Sequence, residues 1–391
     1  MQNDSFLIKE CPCCGAQVNH VTNWTYSGLG DSVFNYTAKF MECVACRGVF
    51  IGNISDVVLE KFYNGECSYF ESAHFSVESA ENREKYAFYR EFLVENALCD
   101  VSVADIGCGR GGFLRCLSDN AWAAPCYGID VDVRSLALAD GGAGKGANIR
   151  FENGGCLNVP LPDQSVALIT YFHVLEHIRD LSKVFSEAAR VTKSGGSILI
   201  DVPDAERYGA MPVGSAFWFS IREHVNHFSV QSLALALERA GFSIVKISRP
   251  VLRTPEFSYP SLVVLAQKGA ARCGIDDAPS GGIAEFCRYS LQRLVEQARD
   301  VKRRSGGGKV TFWGCSAELF SLLPVLGFEN IALCDASPSK QTAFYHGIPV
   351  QEPNAVPKEG LLVVAPYLHG SAIERAARAS GWSQDAIYLL S

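Results

Sequence analysis

ADIGCGRGGF, residues Ala104 to Phe113, follows a short β-branched run at Val101 to Val103 and leads into apolar positions at helical spacing, Phe113, Leu114 and Leu117. The glycines therefore fall at a strand-to-helix turn. Gly107, Gly109 and Gly111 carry no Cβ, so the backbone there can approach a small molecule closely, and free N–H groups at the helix start favour a carboxylate or phosphate. Some twenty residues on, the apolar run Tyr127 to Ile129 ends in Asp130, a carboxylate suited to both hydroxyls of a ribose. Together these residues predict a nucleoside cradle.

Gly107, Gly109 and Gly112 also satisfy the dinucleotide spacing G-x-G-x-x-G, so the glycines alone do not choose the ligand. Two later stretches do: PLPDQSVALITYFHVLEHI, Pro160 to Ile178, and GGSILIDVP, Gly195 to Pro203. With Asp105 just ahead of the glycines, the series resembles the class I S-adenosylmethionine-dependent methyltransferases from Val101 to about Lys268. The resemblance implies that Asp105 and the Gly107–Gly111 loop face the methionine part of the cofactor, that Asp130 holds its ribose, and that His173 lies on the cofactor's side. Many relatives carry an Asp after the third strand to meet adenine; this chain has Gly155 in FENGGCL, and backbone at Cys156 and Leu157 is expected there instead.

The 391 residues, 48% hydrophobic, are enough for two or three domains with cores. A net charge of −7 argues against non-specific attraction to nucleic acid. The one tight basic run, Lys302 to Arg304, reads as a solvated helix end. The opening residues show no basic-then-apolar leader and no stretch approaches bilayer length, so a cytoplasmic protein without membrane contact is expected. Of fifteen cysteines most stand alone in apolar segments, as reduced core residues do.

CPCCG and CVAC are the exception. Cys11-x2-Cys14 and Cys43-x2-Cys46 predict two knuckles that present four thiolates to one structural zinc ion, with Cys13 a spare that could replace Cys11 or Cys14. Four thiolates leave no open position for substrate. Beyond the ribbon, Tyr63, Tyr69 and Phe70 cluster, and Glu81 to Leu98 has helical spacing. That segment is expected to cover the cofactor, with Tyr69 reaching the substrate.

Alternating apolar runs and helical patterns through the centre predict a parallel sheet with helices on both faces, and ligands beyond its carboxyl ends. HVLEH follows one of these strands directly. Its H-x-x-E-H spacing also occurs in metalloproteases, but the strand and its neighbours set it here as a rim motif in which Glu176 braces and His177 faces the pocket. Further on, Arg222, Glu223, His224 and His227 bring imidazoles and a carboxylate into apolar surroundings, ahead of a helix that Ser229 caps. Imidazole titrates near neutrality and suits proton abstraction from a methyl acceptor; Glu223 beside it would raise its basicity or orient the acceptor.

After a linker, Gly269 to Gly282, comes a long helix at Ile283 to Arg304 and then a strand, a turn at Gly314 and a helix: a second, smaller Rossmann-like unit. Ser305 to Lys309 (SGGGK) lacks phosphate-loop spacing. The boundaries are thus residues 1–75 for the ribbon and connecting segment, 76–270 for the methyltransferase domain and 271–391 for the C-terminal unit. In this order the parts resemble the zinc-ribbon deoxysugar C-methyltransferases. The resemblance implies a nucleotide-linked keto-sugar as substrate, a monomer or homodimer, and a Glu–His pair at Glu223 and His224 with a pocket histidine at His177. It departs at Ile221, where the family often has Tyr. The alternatives are an O-methyltransferase on a glycan or metabolite hydroxyl, a non-catalytic zinc-ribbon scaffold, and a dehydrogenase.

Overall fold

A computed structural model describes residues 7–66, 79–142, 148–270, 281–327 and 330–390. The strands are β1 (Val18–Thr25), β2 (Thr37–Cys43), β3 (Val49–Ile51), β4 (Val103–Ile106), β5 (Cys126–Asp130), β6 (Ile149–Asn153), β7 (Val166–Phe172), β8 (Thr192–Pro203), β9 (Asn226–His227), β10 (Phe242–Ser248), β11 (Val251–Arg253), β12 (Ser258–Lys268), β13 (Val310–Trp313), β14 (Ile331–Cys334), β15 (Phe344–Tyr345), β16 (Ile348–Gln351), β17 (Leu361–Val364) and β18 (Ile387–Leu389).

They form three sheets. The central one runs β10-β12-β8-β7-β4-β5-β6, with β11 paired to β12. Strands β4 to β8 are mutually parallel, as the alternation predicts, but β12 pairs antiparallel with both β8 and β10, so the sheet is mixed rather than wholly parallel. The physical reason is connection length: β10 reaches β12 through a short hairpin-like excursion with β11, and short links join antiparallel neighbours. The inner parallel strands are largely apolar, with Val103, Ile106, Ile129, Leu168, Ile169, Ile198 and Ile200 fully or almost fully buried, while β6 at the edge is partly exposed.

The C-terminal sheet runs β15-β16-β14-β13-β17-β18 and is parallel except at β15. The long helix Ile283–Ser305 packs over it and ends at Gly306, φ +55°, which places SGGGK at a helix C-terminus. Lys302, Arg303 and Arg304 lie on its exposed last turn, as the sequence suggests.

The N-terminal sheet runs β1-β2-β3-β9, and its last strand is contributed by the central segment. Val49 pairs with His227 and Phe50 with Asn226, so the ribbon and the residues following Glu223-His224 share one hydrogen-bonded sheet. The sequence blocks 1–75 and 76–270 are therefore interleaved at this strand. Ser229 caps the next helix, Val230–Arg239, in a reciprocal capping box with Ser232, and its hydroxyl donates to the Cys46 carbonyl at 2.9 Å.

Candidate active site

The turn after β4 carries glycines at φ +75° (Gly107), +53° (Gly109) and +71° (Gly111), a backbone region unfavourable to side chains. At Gly107 a Cβ would also strike the Val174 side chain. At Gly109 a Cβ would meet nothing within 4 Å, so the loop's open side is there. Asp130, at the end of β5, closes the turn by accepting from the Gly109 N–H at 2.8 Å and from the Asp132 N–H at 2.8 Å. The expected ribose carboxylate thus stands directly beside the open glycine.

Asp105 is buried near the end of β4 and accepts from the Thr170 hydroxyl at 2.6 Å. Burial pushes its carboxyl up to about 7, against the Thr170 hydrogen bond and with help from Asp130. Cys156, buried, and Leu157, half-buried, follow β6 on the same rim, where the Gly154 N–H donates to the Asp130 carbonyl at 3.1 Å. The helix Ala80–Glu95 lies over the turn: a Cβ at Gly112 would strike the Tyr86 ring. Tyr69 lies outside the described residues; Tyr63, shortly before it, sets its ring 6.1 Å from that of His177.

Beyond β7 the chain turns sharply at His173, φ +56°, and then through the short 3-10 turn Leu175–His177. His173 sits between two carboxylates, with Nδ1 3.1 Å from Glu176 Oε1 and Nε2 3.5 Å from Asp201 Oδ2. Burial would lower its pKa, but Asp201 and Glu176 prevail and raise it to about 9. Asp201 in turn accepts from the hydroxyls of Tyr89 and Ser261. Sequence reasoning passed over Asp201, Tyr89 and Ser261, because nothing local marks residues whose partners lie 60 and 112 positions away.

His177 and His224 come together, ring centroids 4.8 Å apart and nearly perpendicular. Two backbone and side-chain links hold their segments: the Val225 N–H donates to the Glu176 carbonyl at 2.7 Å, and the Asn226 amide donates to the Leu175 and Ile178 carbonyls at 3.0 and 2.7 Å. His177 Nδ1 is 3.2 Å from the Glu223 carbonyl, which can only accept, so Nδ1 donates. Val174, three residues before His177, packs its side chain against Gly107.

One expectation fails. His224 does not titrate near neutrality: burial holds its pKa well below the usual value, and His177, His227 and His173 lower it further. Low polarity disfavours imidazolium, and the neighbouring imidazoles add to that. His227 is a core residue, pushed down to about 3 by burial, with Nδ1 3.3 Å from the Tyr208 hydroxyl and its ring against Phe219. Arg222 donates to the Ser27 carbonyl at 2.9 Å and stacks on Phe34, 4.9 Å from its centroid.

At the far end of the ribbon Cys11, Cys14, Cys43 and Cys46 offer four sulfurs within 4.8 Å of one another. Sγ separations of 3.6 Å (Cys11–Cys46) and 3.4 Å (Cys14–Cys43) suit a tetrahedral ion with Zn–S bonds of about 2.3 Å. The Ala45 and Cys46 N–H groups each lie 3.4 Å from Cys43 Sγ, as knuckle donors to a thiolate do. Cys13 is buried with its thiol against that of Cys11, outside this group of four.

Residues 79–247 match the family profile described as a methyltransferase domain. The central segment is an S-adenosylmethionine-dependent methyltransferase domain. This methyltransferase domain is similar to ajmaline N-methyltransferase of Rauvolfia serpentina, 31% identical over 123 residues that cover 28% of this chain and 42% of the relative. A probable tocopherol O-methyltransferase of Oryza sativa subsp. japonica is 38% identical over 103 residues, 25% of this chain and 28% of the relative. The ubiquinone/menaquinone biosynthesis C-methyltransferase UbiE of Campylobacter jejuni is 25% identical over 108 residues, 26% of this chain and 44% of the relative. The chain spans less than half the length of each of these three. Among solved structures, a Pyrococcus horikoshii OT3 protein is 19% identical and covers 52% of this chain and 99% of its own, with a TM-score of 0.44.

Proposed function

We propose that the chain transfers a methyl group from S-adenosylmethionine to carbon in a nucleotide-linked keto-deoxysugar, with His224 as the proton acceptor. The observation that carries this reading is the meeting of His224 with His177, three residues along the chain from the Val174 that packs on the glycine turn. Asp105, Asp130 and the glycine backbone would hold the cofactor's charged and ribose parts, with His173 behind them and the Cys156–Leu157 backbone at the base. The cofactor supplies an electrophilic methyl, and the chain's own residues align the acceptor with it and exclude water; alignment of this kind contributes several kcal/mol, roughly 7 or more in favourable cases.

A depressed pKa keeps His224 neutral at physiological pH, so its lone pair is available. The proton it takes from the carbon next to the carbonyl would be stabilised by the Glu176 carboxylate, whose donor atom lies within 4.8 Å of those of both histidines. Glu223 and His177 would orient sugar oxygens, and Tyr69 would approach from the cover segment. The zinc ion would hold the ribbon and take no part in the chemistry.

The deciding experiment is His224→Gln. S-adenosylmethionine should still raise the melting temperature, since a ligand at 100 times its Kd adds about 2.7 kcal/mol, while turnover of keto-sugar nucleotides falls to background. Unchanged turnover removes His224 from the mechanism. NMR of the product separates a C-methyl from an O-methyl, and an O-methyl product assigns the same pocket to a hydroxyl acceptor.

A further inference from the structure

The geometry points to a second metal site, distinct from the cysteine cluster: Glu176, His177 and His224 form a two-histidine, one-carboxylate pocket for a divalent transition cation. The inhibitory part of this inference rests on the proposed use of His224 in proton transfer, because a bound cation would take the lone pair that the transfer requires. Occupancy of the pocket and methyl transfer are then mutually exclusive, and the cation acts as an inhibitor.

Three observations support the pocket. First, one donor atom from each residue lies within 4.8 Å of the other two. Metal–ligand bonds of about 2.1 Å bring such atoms to about 3–4 Å, and small side-chain rotations close the difference. Second, two of the polar atoms are shut off from solvent and have no hydrogen-bond partner among the described residues: Glu176 Oε2, on a residue 1% exposed, and His224 Nδ1. Buried oxygen and nitrogen acceptors without partners are rare and call for a ligand. Third, the surroundings are those of a ligated site. His177 donates Nδ1–H to the Glu223 carbonyl, which fixes its ring, and Glu176 Oε1 is held by His173. The backbone bond from Val225 to Glu176 ties the two contributing segments, so the donors are placed before any ion arrives.

The chemistry of the donors selects the ion. Two neutral imidazoles and a carboxylate suit zinc, cobalt, nickel or ferrous iron, and disfavour magnesium and calcium, which prefer oxygen alone. The cysteine cluster, all thiolate and closed, would compete poorly for cobalt once it holds zinc.

The test uses the full chain with one equivalent of zinc already bound. Titration with CoCl2 or ZnCl2 by calorimetry should reveal a second equivalent in the parent protein. Glu176→Gln and His177→Gln should weaken that equivalent at least tenfold and leave the first in place, and His173→Gln should weaken it about 10–100-fold as an outer partner. The cation should also slow diethylpyrocarbonate modification of His177 and His224 in the unaltered chain, a measurement that does not depend on the variants folding. Added cobalt should inhibit methyl transfer, with recovery on chelation. A parent protein that binds one equivalent only, or a second equivalent that survives in Glu176→Gln and His177→Gln, overturns the inference. If no second equivalent binds while His224→Gln abolishes transfer, the proposed function stands and this inference falls. If the ion binds while His224→Gln methylates normally, the reverse holds.

Discussion

Asp105 and His173 carry the two titrations that ought to be visible from outside. A carboxyl raised to about 7 stays protonated in the folded chain while the unfolded chain has already ionised it, so folding stability declines as pH rises from about 4 to 7 and is flat above. A bound ammonium group reverses that preference. Affinity for S-adenosylmethionine should therefore rise between pH 6 and 8, with a midpoint near 7 that moves upward in Thr170→Val, which deletes the opposing hydrogen bond. Calorimetric titration at several pH values checks this; an affinity independent of pH would exclude Asp105 from contact with the cofactor. His173 has the same sense in a higher window. Its folded pKa is raised to about 9, so the stability from its two carboxylate contacts is complete below about 6.5 and is lost as pH climbs through 9. Denaturant midpoints of the parent chain should fall over that window, and His173→Gln should flatten the curve. Both residues could be located from their motifs, but neither shift could: that of Asp105 depends on its burial in the folded sheet, and that of His173 chiefly on Asp201 from another strand.

At the scale of elements, the strand β9 does most to place the candidate chemistry. It is two residues long and could not persist alone; its pairing with β3 ties His224, two positions before it, to the ribbon. The cysteine knuckle reinforces this, since Ser229 bonds the Cys46 carbonyl and the Cβ of Ser232 lies 2.9 Å from where a Cβ on Gly48 would be. Loss of an ion from the four-cysteine cluster should therefore reach the pocket. Cys43→Ser is expected to lower turnover at least tenfold, to speed amide exchange at Val225 to His227, and to leave cofactor binding nearly intact, because the glycine turn belongs to the central sheet. Exchange mass spectrometry with a parallel binding measurement is the check. Unaltered exchange at β9 would show that the ribbon folds without its ion.

The whole molecule is held by contacts that cross all three sheets. The Ser27 N–H and hydroxyl donate to the Phe320 carbonyl at 2.9 and 2.8 Å, the Gly30 N–H to the Phe344 carbonyl at 2.7 Å, and the Tyr26 hydroxyl to the Phe219 carbonyl at 2.6 Å. Arg222 lies at their junction, between Phe34 and Phe320, with its Nη1 on the Ser27 carbonyl. Arg222→Ala should destabilise the chain by roughly 1–3 kcal/mol through the lost charged hydrogen bond and loosen the C-terminal unit from the ribbon, which limited proteolysis and a denaturation midpoint would register. The C-terminal unit also repeats the central cradle in outline: Asp335 accepts from the Cys315 and Ser337 N–H groups at 2.7 and 2.8 Å, as Asp130 does from Gly109 and Asp132. Here the Lys340 ammonium lies 3.2 Å from that carboxylate, so the position beside it is already taken by the chain's own side chain.

The parallel core, the glycine turn, the ribose-type aspartate, the capped helices and the four ribbon cysteines were legible in the amino-acid order, because each is written in short spacings: apolar runs of four to seven, glycines two apart, cysteines three apart. Three things were decided only by tertiary structure. Antiparallel β12 depends on where a strand is inserted, the union of His177 with His224 depends on a bond between Val225 and Glu176, and the depressed pKa of His224 depends on how much water the surrounding elements exclude. Local sequence sets which conformations a segment prefers; long-range packing sets its neighbours and its dielectric surroundings, and proton affinity follows from those.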